Sequence, residues 1–512
     1  MTFPSAGCQT CKARRIKCDE SQPVCQRCVK SRRVCRGMAT KNEWPSLHSE
    51  NSYASGQKKR PRGPRSTHSK QRERDKNRDI VLHRPLIDLK TNAILYFSHY
   101  HLQSLKETLT ILKGVTTDFL PVWESNVESP ILDLAVSSIA LAVYSRTQQH
   151  PPAAIEASTK YHELLRLQRA AIPSLDQSNI DSCLIAIFFM SRFEDVVHSP
   201  SYPNVQARSA RTLQSFSHHD GALAILKYWK HEMSHRYPAT NIIKYTRRGM
   251  IRSATLRVLG LPEWIWDGKC FGEGGSELVY DFIVVQIANL RHRLLTFQKD
   301  KISQRLTPLE FISKAEELYD EAQDLDNALQ DWAGHHLGIW NHQQHILSDY
   351  PNFSTKYFYS SEVYIYSSPV YASVWILYYA TRLLINSTIL KILRFTGPHS
   401  NSIAFERRFE YLSVMKSAAN DLALSVPCAL QIFTPSDTFN PSSDQSSIVM
   451  NKNEDVKPYV ANLIIWPLSL AANLSGVDIR YKSWFKSLLA HLGRVTGIAL
   501  LENAESGSWP EL

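Results

Sequence analysis

Six of the nine cysteines in this 512-residue chain fall within 28 residues, in "CQTCKARRIKCDESQPVCQRCVKSRRVC" from Cys8 to Cys35. The other three, Cys183, Cys270 and Cys428, are scattered singly. Sulfur crowded in this way can form disulfides, serve as a redox pair or bind metal. The opening "MTFPSAG" has neither a basic n-region nor an apolar h-region, so we read no secretory signal. A chain of this length can also bury a large core without covalent staples. In a reducing compartment, close cysteines read as metal ligands. Their spacing is C-x2-C-x6-C-x6-C-x2-C-x6-C, and "CQTCKARRIKC" (8–18) repeats as "CQRCVKSRRVC" (25–35). Each half leads from a C-x2-C pair into a short helix and supplies three sulfurs. A closed structural zinc site takes four ligands, so six sulfurs serve two ions only if two are shared.

Lysine and arginine fill the gaps between the sulfurs. Nine basic residues lie between Cys8 and Arg36, opposed only by Asp19 and Glu20. Two dications on six thiolates leave the metal core at about minus two, and the module at about plus five. Such a footprint suits phosphate. Residues 1–78 hold 20 basic and 6 acidic side chains, whereas the whole chain carries a net charge of +11. The remainder is therefore slightly acidic, and the chain is a basic head on a near-neutral body.

The cysteine pattern resembles the DNA-binding domain of fungal binuclear zinc-cluster transcription factors. Pro23, two residues before the fourth cysteine, and Asp19, after the third, also match that pattern. The resemblance implies two zinc ions, one held by Cys8, Cys11, Cys18 and Cys25 and the other by Cys25, Cys28, Cys35 and Cys8. It further implies that the first helix enters the major groove of double-stranded DNA and reads a CGG-type triplet. Arg15 stands where the family often has lysine. A two-pronged donor there suits guanine O6 and N7, with Lys17 beside it. Lys12, Arg14, Arg27 and Lys30 read as phosphate contacts that position the module. Arg32 and Arg33 fit a solvated surface equally well.

Residues 1–36 thus read as the zinc-cluster domain and 37–79 as a flexible basic linker, poor in aliphatics and without hydrophobic periodicity. Within the linker, "KKRPRGPR" supplies a nuclear localisation candidate in Lys58, Lys59, Arg60, Arg62 and Arg65. No sustained a/d heptad follows, so no coiled coil specifies a homodimer and that partner is left open.

Residues 80–512 read as an all-α body, and the fold class is mostly α. The stretches 131–147, 181–197 and 220–233 have dense helical apolar patterns. In 309–331, Phe311, Ala315, Leu318, Ala322, Leu325 and Leu329 recur at steps of four and three, opposite an acidic, solvated face. Residues 363–381 carry no charge, but Pro369 and several hydroxyl side chains favour a buried helix over a membrane span. The polar stretch 434–455 reads as a disordered loop. "YFSHYHLQSL" (96–105), "HHDGALAIL" (218–226), "YYATRLLINSTIL" (378–390) and "WPLSLAANLS" (466–475) are similar to the regulatory region of fungal-specific transcription factors. That resemblance implies a helical region that regulates activity or contacts the transcriptional machinery and co-regulators, not a catalytic site.

One motif points to another class. "HEMSH" (231–235) matches H-E-x-x-H, two zinc-binding histidines around a glutamate base. Pro238 follows closely and the further glycine and histidine of the longer pattern are absent. We read it as a helix end. The expected protein is a nuclear, zinc-dependent, sequence-specific regulator of RNA polymerase II transcription, with no enzymatic activity and no membrane partner.

Overall fold

The computed structural model describes residues 7, 8, 10, 11, 14, 16–19, 21, 25–31 and 33–35 of the N-terminal segment. Beyond it, residues 88–126, 128–197, 205–302, 307–336, 338, 340–347, 356–395, 402–435, 448–451 and 455–506 are described. The basic run 58–65 and the rest of the linker read at 37–79 lie outside the described residues. Two units divide the chain, residues 1–82 and 83–512.

Among the described residues of the first unit, α1 (Gln26–Lys30) starts directly after Cys25. The second unit is built from α2 (Leu89–His101), α3 (Phe119–Ser125), α4 (Pro130–Thr147), α5 (Pro151–Ala171) and α6 (Ile180–Val197). These are followed by α7 (Val205–Tyr228), α8 (Asn241–Arg257), α9 (Ser276–Ile302), α10 (Pro308–Gly334) and α11 (Pro369–Ile392). The chain continues through α12 (Ser402–Ala429), α13 (Pro458–Ala471), α14 (Ile479–Thr496) and α15 (Ala499–Glu502). Neighbours in sequence pack on one another, notably α4 with α5, α6 with α7, and α11 with α12.

Local chemistry explains where these helices start. Thr307 accepts from the Glu310 amide while Glu310 reaches back to the Thr307 amide, a reciprocal cap on α10. The periodic residues of α10 then face inward, with Phe311, Ala315, Leu318, Ala322 and Leu329 buried and Glu316, Glu317, Asp320 and Asp324 exposed. Thr240 caps α8 by accepting from the Ile243 amide at 3.2 Å.

Two departures from a purely helical body appear. Glu362–Tyr366 (β2) pairs antiparallel with His342–Ile346 (β1), His342 opposite Tyr366. The uncharged stretch from 363 therefore opens as a strand, because "VYIY" alternates β-branched and aromatic residues. It turns helical at Pro369, which occupies the first turn of α11 where its missing amide costs nothing. Second, Phe433–Pro435 (β3) pairs antiparallel with Ile448–Met450 (β4), so the start of the 434–455 stretch meets a later part of it in a short ladder. Residues 436–447 and 452–454 of that stretch lie outside the described residues. Among the described residues, no helix is long and apolar enough to cross a membrane.

Candidate metal centre and nucleic-acid interface

Two sets of four sulfurs come together in the head: Cys8, Cys11, Cys18 and Cys25, and Cys8, Cys25, Cys28 and Cys35, each set within 4.8 Å. Cys8 and Cys25 belong to both. Their sulfurs are 3.7 Å apart, and Cys11 Sγ is likewise 3.7 Å from Cys25 Sγ. The four cysteines of the two C-x2-C pairs are buried, while Cys18 and Cys35 are half-buried.

The internal repeat is visible as repeated hydrogen bonding. The Cys11 amide donates to Cys8 Sγ at 3.4 Å, and the Cys28 amide donates to Cys25 Sγ at 3.3 Å. Each shared sulfur thus accepts the amide three residues on, which favours its thiolate form. In their thiol form, burial pushes Cys11 and Cys25 above the usual thiol range. A cation is what makes thiolates stable there, so metal uptake must release protons.

The halves are tied together by polar contacts. Thr10 Oγ1 donates to the Val34 carbonyl at 2.9 Å, and the Arg14 guanidinium to Ser31 Oγ at 3.4 Å. Asp19 accepts from Ser21 Oγ at 2.6 Å and from the amides of Gln26 and Arg27 at 2.9 and 3.3 Å. Those bonds hold its carboxyl well below the usual carboxylate range, the Ser21 bond first. Asp19 is thereby the anchor of the α1 start. The residue pattern shows its place after Cys18 but not this role, because the amides it accepts from lie seven and eight residues on.

Of the cations assigned to DNA, Arg14, Lys17, Arg27 and Lys30 are exposed, as is Arg33. Lys12, Arg15 and Arg32 lie outside the described residues, as does Pro23.

Residues 6–45 match the family described as the fungal Zn(2)-Cys(6) binuclear cluster domain. The N-terminus carries a zinc-cluster domain. The chain is 61% identical over 31 residues to an uncharacterized transcriptional regulatory protein of Schizosaccharomyces pombe, covering 6% of each chain. It is 63% identical over 30 residues to adhesion and hyphal regulator 1 of Candida albicans, covering 6% of this chain and 5% of that one. Transcriptional regulatory protein moc3 of S. pombe is 58% identical over 31 residues, 6% of each chain. These matches therefore span only about a twentieth of the curated relatives. No solved structure matches. Two groups of four sulfurs suit closed, tetrahedral structural zinc, and the head takes two zinc ions.

The H-E-x-x-H match does not form a comparable centre. Trp229–Met233 is a wide π turn that ends the helix, and His231, Glu232 and His235 are all exposed. They are not among the described groups able to hold a metal.

Proposed function

We propose that this chain is a zinc-dependent, sequence-specific DNA-binding regulator of RNA polymerase II transcription, acting in the nucleus and not as an enzyme. The observation that carries the reading is the pair of four-sulfur groups sharing Cys8 and Cys25, flanked by exposed Arg14, Lys17, Arg27 and Lys30. One zinc is held by Cys8, Cys11, Cys18 and Cys25, the other by Cys25, Cys28, Cys35 and Cys8. The ions supply folding energy rather than chemistry: they clamp two short helical turns that have too little core to stand alone.

On that scaffold Arg15 reads guanine in a CGG-type triplet and the remaining cations hold phosphate. Basic residues 58–65 direct the chain to the nucleus. The helical body acts as the regulatory region, receiving signals or contacting co-regulators, and a second copy could pair with it to set half-site spacing. Selection of bound sequences from a random duplex pool by the full chain tests the reading. CGG triplets should be enriched with zinc present and lost with a chelator. Enrichment of no sequence at all would contradict it.

A further inference from the structure

The helical body holds a partly open cavity of about 620 Å³, a volume that suits a small organic ligand. Phe97 and His101 of α2, Phe189 of α6, Gly249 and Arg252 of α8, and Trp466 of α13 contribute to its wall. Three of the four stretches singled out in the body, 96–105, 218–226 and 466–475, reach this one space.

Three features at the wall go beyond apolar packing. His101 Nε2, Thr246 Oγ1 and Asn473 Oδ1 all face burial with no hydrogen-bond partner among the described residues. None of the three residues is more than 6% exposed. Unmade hydrogen bonds are costly in a protein interior, and these three belong to residues lining the one cavity. Gly249 is the second feature. It sits inside α8, where glycine is a poor helix former, and a Cβ there would meet nothing within 4 Å. Its small size keeps space open.

Charge is the third. Arg252 uses one nitrogen on the Ile111 carbonyl at 3.0 Å and lies 5.8 Å from the Trp466 ring centre. Among the described residues it makes no ion pair within 4 Å; the Asp281 carboxylate, which pairs with Arg248 at 2.9 Å, acts on it only through space. The acid at the wall, Asp195, already accepts from Ser215 Oγ at 2.8 Å. Burial keeps His101 and His219 neutral near pH 7, so neither brings charge; His219 is already bonded to Ser191 and Ser253 Oγ, which leaves His101 to offer a hydrogen bond. A buried guanidinium with no carboxylate in direct contact, beside an aromatic wall, suits an anion on an apolar body.

We propose that this cavity binds an aromatic organic acid, its carboxylate on Arg252 and its ring system among Phe97, Phe189 and Trp466. The site belongs to the body and is independent of the zinc reading. Fluorescence titration of the full chain with 1-pyrenebutyrate and with the neutral 1-pyrenebutanol tests it. The acid should bind saturably at one site and more tightly than the alcohol. Arg252→Gln should weaken the acid by about tenfold, the worth of a charge-assisted hydrogen bond, and leave the alcohol unchanged. Gly249→Phe should fill the space and block both probes while the helical circular dichroism is retained, and Gly249→Leu carries the same test should the larger side chain not fold. The proposal is overturned if neither probe saturates, if a folded Gly249 variant binds as the parent does, or if Arg252→Gln leaves the acid unaffected.

Discussion

Cys8 Sγ and Cys25 Sγ lie 3.7 Å apart, and these two residues are the ones common to both four-sulfur groups. Each also leads its own half of the repeat and accepts the amide of the residue three positions on. The shared pair is therefore the point at which the two halves become one unit. A change there has to act on both ions, whereas a change at the periphery acts first on one.

Substitution separates those cases. Cys25→Ser should lose both zinc ions and unfold the head, since structural zinc contributes on the order of 10 kcal/mol of folding free energy in modules of this size. Cys35→Ser leaves the group of Cys8, Cys11, Cys18 and Cys25 complete and should retain at least one ion. Metal content measured beside far-ultraviolet circular dichroism would show the helical body intact in both. Equal metal loss in the two variants would argue against sharing.

Base reading and phosphate anchoring predict different binding profiles. Arg15→Ala should cost roughly 1–3 kcal/mol on a CGG-containing duplex and far less on random DNA. Lys30→Ala, at an exposed position, should weaken both duplexes alike and flatten the log K against log salt plot by about one unit. Titrations of both variants across a salt series provide the comparison. An Arg15 variant that lost affinity equally on both duplexes would move base reading elsewhere on the first helix.

The body has its own test in Arg247, which is fully buried. Its guanidinium donates to Glu273 at 2.7 Å, to the Ile265 carbonyl at 2.9 Å and to the Trp266 carbonyl at 2.8 Å. Arg247→Met leaves the Glu273 carboxylate buried without that partner and should destabilise the body by about 3–5 kcal/mol. Urea unfolding followed by tryptophan fluorescence would register it. An unchanged midpoint would mean that Arg248 alone compensates.

Buried imidazoles should make the body acid-sensitive. Burial depresses the His101 pKa from its ordinary 6.5 to about 3. Between those values the unfolded chain holds a proton that the folded chain does not, so stability falls as the pH drops from 6.5 toward 3. His101→Leu should flatten this part of the stability profile, measured as thermal midpoint against pH. A profile identical to the parent's would show that His101 is protonated in place.

How much of this was legible in the sequence depended on the range of the interactions. The cysteine spacing specifies a local object, and the two sulfur sets follow from contacts within 28 residues. The α10 stripe was legible for the same reason, since Phe311, Ala315 and Leu318 need only one helix to define a face. Other features arise from distant pairing. Glu362–Tyr366 takes strand form through a partner some twenty residues earlier, which an uncharged run cannot announce. The cavity assembles residues from Phe97 to Trp466, and Asp19 finds its amides only once the two repeats close on each other.

The zinc content of the purified full chain, counted per molecule by native mass spectrometry, tests the central claim most directly. Six cysteines in two groups that share Cys8 and Cys25 predict two zinc ions per chain. A single zinc, or none with the six sulfurs joined as disulfides, would contradict it.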